Sequence, residues 1–226
     1  MEIKVLKSYK ELSSVVADVI EDIFKKSFRM SFPKLVLPTG STPLGLYKEL
    51  VNRELDWSSI TTFNLDEYIM NPDHPQSYHS FMKENLFNKV NIYPNSYHFP
   101  FRPTSAYEDK MTVNKGIDLC ILGIGSNGHI AFNEPGSSFK SRTRVVDLDE
   151  QTIQDNSRFF DSVDEVPKQA ITMGLGTIME SKRIVLMANG KHKLNILNVA
   201  MNGEVTESVP ASILQNHKNV KIYYCE

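Results

Sequence analysis

Along this chain, short apolar runs alternate with stretches whose apolar positions recur every three or four residues. Ser8 and Glu11 have the form of a capping box, and Leu12, Val15, Val16, Val19, Ile20, Ile23 and Phe24 then fall at helical spacing. KLVLP (34–38) is the first short apolar run and has the texture of a strand buried on both faces. The turn TGSTP leads into LGLYKELVN, which has helical periodicity. ITTFNL (60–65) reads as a strand, SYHSFMKENLF (77–87) as a helix, IDLCILGI (117–124) as a buried strand and SRTRVVDL (141–148) as extended chain. KQAITMGLGTIMES (168–181) reads as a helix and RIVLMAN (183–189) as a strand. KHKLNILNVAMNG (191–203) reads as a helix ending at Gly203, and NVKIYYC (219–225) as a last strand. Strands alternating with helices predict an α/β fold of three layers, α/β/α, with a mostly parallel central sheet covered on both faces. No repeat, low-complexity tract or linker interrupts the pattern, so residues 1–226 read as one domain.

Open sheets of this kind bind ligands at the carboxyl ends of their strands. The segments that follow the strands here are PTGSTP, NLDEY, GIGSNGHIAFNEP and ANGKHK, all polar, charged or glycine-rich. Thr39, Gly40, Ser41 and Thr42 stand between a strand and a helix. Glycine there lets the backbone approach a ligand, and hydroxyls with free N–H groups suit an anion such as phosphate. The same residues also make an ordinary capped helix start, and the Gly-Lys-Ser/Thr ending of a Walker loop is missing. Asp66 and Glu67 place adjacent carboxylates at a strand end. Shielding by Phe63 and Tyr68 would suit one of them to general-base work.

Gly123-Ile-Gly125-Ser-Asn-Gly128 is a literal G-x-G-x-x-G after an apolar run. A dinucleotide fingerprint needs its third glycine to open a long crossover helix, and Pro135 and Gly136 arrive within eight residues of Gly128. The nucleotide reading is therefore rejected. What remains is a glycine-rich turn carrying His129 and Glu134, a proton-transfer group and a carboxylate able to fix its tautomer. No second His or Cys stands nearby at metal-ligand spacing. Lys191 follows a strand and Arg158 sits among polar and aromatic neighbours, both candidates for holding an anion.

Composition narrows the class without naming the chemistry. The 226 residues are 41% hydrophobic and 23% charged with a net charge of −2, ordinary for a globular protein. No polybasic face or basic stripe with aromatics points to nucleic acid or a membrane surface. Two cysteines make neither a disulfide framework nor a zinc spacing. The start, MEIKVLKSYKE, lacks the apolar core of a signal peptide, so a soluble cytoplasmic protein is expected.

Taken together, LPTGSTP, NLDEY, SYHSFM, GIGSNGHIAFNEPGSSFKSRTRV, NSRFF, VPKQAITMGLGTI and ANGKHK resemble the glucosamine-6-phosphate deaminase (isomerase) family, in order and over nearly the whole chain. The resemblance implies a Rossmann-like fold of the sugar-phosphate isomerase type. It also implies conversion of glucosamine 6-phosphate and water to fructose 6-phosphate and ammonia, with no metal or organic cofactor. It assigns Asp66 as the base at C2 and C1, and His129, oriented by Glu134, as the group that helps open the ring. The Thr39–Thr42 loop, Arg158 and Lys191 become the phosphate site. Rival readings are the galactosamine 6-phosphate reaction, a 6-phosphogluconolactonase, and a non-enzymatic sensor of amino-sugar phosphates. The partner expected is the small phosphosugar, in a monomer or small homo-oligomer.

Three departures stand out. Asn127 occupies a position next to His129 where many members carry Asp, so no carboxylate can act there. The 101–116 stretch is shorter than in many relatives. The sequence stops soon after KIYYC, as in the short members without a C-terminal extension, which implies a non-allosteric form.

Overall fold

The computed structural model describes residues 2–27, 32–113, 116–157 and 160–226. Its main sheet has seven strands: β1 (Ile3–Leu6), β2 (Lys34–Leu37), β3 (Thr61–Asn64), β5 (Tyr97–His98), β6 (Leu119–Leu122), β9 (Ile184–Asn189) and β10 (Val220–Cys225). Their spatial order is β1-β10-β9-β6-β2-β3-β5, and every pairing is parallel.

The apolar runs are buried on both faces because successive side chains point to opposite sides of the sheet. Leu35, Leu37, Leu119, Ile121, Val185 and Met187 enter one core with α1 (Tyr9–Ser27), α2 (Leu44–Asn52) and α3 (Tyr78–Asn85). Val36, Cys120, Leu122, Ile184, Leu186 and Ala188 enter the other, with α4 (Thr104–Thr112), α6 (Leu175–Met179) and α7 (Leu194–Asn202). These are the three expected layers. Helix α1 starts as the capping pair predicts: Ser8 Oγ accepts the Glu11 N–H at 3.2 Å, and Glu11 reaches back to the Lys7 N–H at 2.7 Å. Gly203 closes α7, donating its N–H to Val199.

One expectation fails. Residues 168–181 are not a single helix: Gln169–Thr172 form strand β8, and only Leu175–Met179 are helical. β8 is the middle strand of a second sheet, antiparallel to β4 (Asp66–Tyr68) and β7 (Arg144–Asp147). Cross-strand pairing on both edges overrides the helical spacing of this short segment. Strands β1, β4 and β5, with helices α4 and α5 (Glu150–Asn156), have no counterpart among the sequence expectations. The two sheets meet at Leu65, which donates its N–H to Leu37 of β2 at 3.3 Å and accepts the Met173 N–H at 2.7 Å.

β2 and β6 lie side by side, yet the chain runs from β2 to β3 on one side and from β6 to β9 on the other. That divergence makes a topological switch point, where the loops leaving the two strand ends part and open a crevice.

The start of α6 tests how tightly this scaffold is packed. A methyl on Gly174 would lie 2.2 Å from the Ser141 carbonyl oxygen and 2.5 Å from that of Arg142, both backbone atoms. Gly174→Ala should lower the unfolding free energy by about 1–3 kcal/mol, read from the midpoint of a urea titration.

Candidate active site

At the switch point lies a cavity of about 550 Å³. The loops after β2, β3, β6 and β9 each contribute to its wall, so the four segments singled out in the sequence converge on one space.

Asp66 lines this cavity and is buried. Burial, with the Glu67 carboxylate adjacent, pushes its carboxyl up to about 8. Glu67 faces other work. It accepts the N–H groups of Tyr68 (2.9 Å), Tyr78 (2.9 Å) and His79 (2.8 Å), the last two in the first turn of α3. Burial raises its pKa, and those three donors hold the rise back. A carboxylate at a helix start satisfies otherwise unpaired N–H groups and suits the positive end of the helix dipole. Of the adjacent acids, one is anchored and the other faces the cavity.

His129 also lines the cavity, on an irregular loop. No helix follows Gly128, as the rejected nucleotide reading requires; the next helix is α5. Gly128 has φ of +87°, a conformation glycine adopts without strain. Gly125 is needed for space: a methyl there would stand 2.3 Å from two atoms of the His129 ring. Glu134 Oε2 lies 3.1 Å from His129 Nδ1 and accepts from Asn127 Nδ2 at 2.7 Å, while Glu134 Oε1 accepts from Thr152 Oγ1 at 2.6 Å. Burial pushes the Glu134 carboxyl up, but the hydrogen bonds from His129, Thr152 and Asn127 prevail and hold it below the ordinary carboxylate range. An ionised carboxylate can only accept, so the proton of the facing nitrogen sits on His129 Nδ1, and in the neutral ring Nε2 is the acceptor. Asn127 supplies in amide form what a carboxylate there could not, a donor to Glu134, and its Oδ1 accepts the His129 N–H at 3.2 Å.

Thr39, Gly40, Ser41 and Thr42 form another wall. Gly40 takes φ of +93°, and the loop is braced from α1: Tyr9 Oη donates to the Thr42 carbonyl at 2.9 Å and accepts the Gly45 N–H at 2.7 Å. Lys191 does not reach the cavity. Its side chain is 82% exposed and pairs with Glu226 at 3.3 Å, whereas Lys193 lines the wall. Residues 191–193 make one tight helical turn, so positions two apart point in different directions. Arg158 lies outside the described residues. Among the described residues, no three His, Cys, Asp or Glu side chains come together to hold a metal ion.

The structure thus brings Asp66, His129 and residues 39–42 to one cavity, with Asn127 and Glu134 behind the imidazole. Sequence reasoning missed Lys193, Tyr9 and Thr152. The KHK triplet flagged a cation near the β9 end, but the spacing alone could not tell which lysine faces inward. Tyr9 and Thr152 gave no local signal, because their partners lie far along the chain.

Residues 7–223 match the family described as glucosamine-6-phosphate isomerases/6-phosphogluconolactonase. A glucosamine-6-phosphate deaminase of Thermoanaerobacter sp. is 46% identical over 98% of this chain and 91% of its own. Among solved structures, a monomeric glucosamine-6-phosphate deaminase superposes with a TM-score of 0.94 at 40% identity, covering 100% of this chain and 98% of the other. A 6-phosphogluconolactonase from Shewanella baltica shares the fold, with a TM-score of 0.79 at 20% identity over 99% and 97% of the two chains. With the family match running almost end to end and the sequence identity this high, the chain belongs to the glucosamine-6-phosphate isomerase/6-phosphogluconolactonase family.

Proposed function

We propose that this chain is an enzyme that converts glucosamine 6-phosphate and water to fructose 6-phosphate and ammonia, a step of amino-sugar breakdown in the cytoplasm. The observation that carries this reading is the presence, on one cavity, of a buried carboxylate and an imidazole oriented by a second carboxylate. The likeness to deaminases at 46% and 40% identity supports it, while the lactonase shares only the fold. The galactosamine, lactonase and sensor readings are not favoured. The cavity draws residues from Pro38 to Lys193, in keeping with a single domain. Among the described residues no helix is long and apolar enough to cross a membrane.

In this reading, His129 Nε2 accepts a proton from the C1 hydroxyl and passes one to the ring oxygen, opening the pyranose to its aldehyde form. Asp66 removes the C2 proton, which leaves an enolamine, and returns it to C1. The C2 imine then adds water and expels ammonia, leaving the ketone. The raised pKa of Asp66 keeps it a strong base once ionised, and the cationic amine of the substrate favours that ionised form. The Thr39–Thr42 loop and Lys193 hold the phosphate, and Arg158, outside the described residues, is assigned to it by the family resemblance alone. Asn127 and Glu134 position His129.

Asp66→Asn should lower kcat by about 10²–10⁴-fold while sugar-phosphate binding survives, read by ammonia release and by calorimetric titration. Unchanged turnover would remove Asp66 from the mechanism. The same variant carries a stability signature. The folded value near 8 lies above the ordinary 3.8, so the folded chain binds this proton more tightly than the unfolded chain. That contribution is complete below about pH 4 and is lost as pH rises through about 8. The unfolding temperature of Asp66→Asn relative to wild type should therefore climb from about pH 5 to about pH 9. A constant offset across that range would contradict a proton held on Asp66. The two lysines separate cleanly as well. Lys193→Ala should raise KM by about tenfold or more with kcat nearly kept, while Lys191→Ala should change neither.

A further inference from the structure

Glu134 has two oxygens, and they are served from different parts of the fold. Oε2 faces His129 Nδ1 and Asn127 Nδ2, both on the same irregular loop. Among the described residues, Oε1 receives one hydroxyl, that of Thr152, at 2.6 Å from a position 18 residues further along the chain. Thr152 is buried and sits on α5, whose first turn is set by Asp149 Oδ1 accepting the Thr152 N–H at 3.1 Å. The same helix places Asn156 on the cavity wall and packs Ile153 against the cluster of Tyr68, Phe132 and Leu148. Phe160, just beyond, covers the wall and meets the Tyr68 ring at 6.0 Å. α5 is thus at once part of the cover of the cavity and, among the described residues, the source of the hydrogen bond to Oε1.

We infer that Thr152 is a positioning residue that links the seating of α5 over the cavity to the orientation of the His129 imidazole through Glu134. With Oε1 held, rotation of the carboxylate about its last bond would break the Thr152 bond, so Oε2 stays fixed for Nδ1–H. Without the hydroxyl, Oε1 keeps no donor among the described residues, Asn127 alone steadies Oε2, and the carboxylate gains freedom to rotate away from Nδ1–H. His129 then no longer presents Nε2 reliably to the ring oxygen side of the substrate. This rests on the proposed deaminase reading for its activity readout, but its structural readout does not.

The test uses the full chain with Thr152→Val, which keeps shape and removes the hydroxyl, Thr152→Ser, which keeps the hydroxyl, and Thr152→Ala as a second hydroxyl-free variant. Val and Ala should lower kcat by about tenfold with KM within about twofold, and Ser should recover most of the loss. Nitrogen-15 spectra of the His129 ring should show the Nδ1–H tautomer in wild type and Ser, and a mixture of tautomers in Val and Ala. A rise in KM alone would mean that Thr152 touches substrate instead. Equal losses in Ser and Val, or an unchanged tautomer in both hydroxyl-free variants, would overturn the linkage. If wild type released no ammonia, the reaction assignment would fall while the tautomer comparison still decided the role of Thr152.

Discussion

Leu65 is the bend that joins β3 of one sheet to β4 of the other, and most of the cavity follows from that. Its N–H is held by the parallel sheet and its carbonyl by the antiparallel one, so the chain must bend there and cannot slip. Asp66 is the next residue. Its carboxylate is held by paired backbone, not by a loop, and it sits where two sheets exclude water. Glu67 then ties the bend to the first turn of α3, the helix whose residues Tyr78 and Phe81 complete that side of the wall. A buried acid is costly to ionise unless it is partnered. The fold arranges three N–H donors for Glu67 and, among the described residues, shows none for Asp66, so adjacent side chains of the same chemical class stand in different environments.

The same contrast recurs across the cavity. Asp66 is pushed up by burial, whereas Glu134, also removed from water, is pulled down by three donors. Burial favours the neutral form of the first carboxyl, and its donors favour the charged form of the second. Environments that drive titratable groups apart in this way are what assign acid and base roles in a site. Here the contrast follows from the hydrogen-bond donors around Glu134 and the burial of Asp66.

How much of this could be read from the residues alone depends on the distance between partners. His129, Asn127 and Glu134 lie within eight positions on a loop that proline and glycine keep from becoming helix, so their association was visible in the string. The central strands were visible because burial on both faces leaves an unbroken apolar run. β8 was not, since four residues with one exposed end carry no clear period, and its pairing with β4 and β7 is a fact of tertiary structure. Which of Lys191 and Lys193 faces the cavity is decided within one turn of helix, and strand-end patterns do not fix that register. Tyr9 and Thr152 act on groups 33 and 18 residues away and leave no trace in their own neighbourhoods.

β10 is the last of the described strands in sequence yet an interior strand in space, flanked by β1, the first of them, and by β9. Until residues 220–225 have left the ribosome, β9 has an open edge of buried-type side chains, and β1 has no sheet to join. Closure of the layer therefore waits for β10 and rests on pairings such as Ile3 with Ile222, between segments far apart in sequence. In the meantime the nascent polypeptide presents the kind of sticky ribbon that holding chaperones bind.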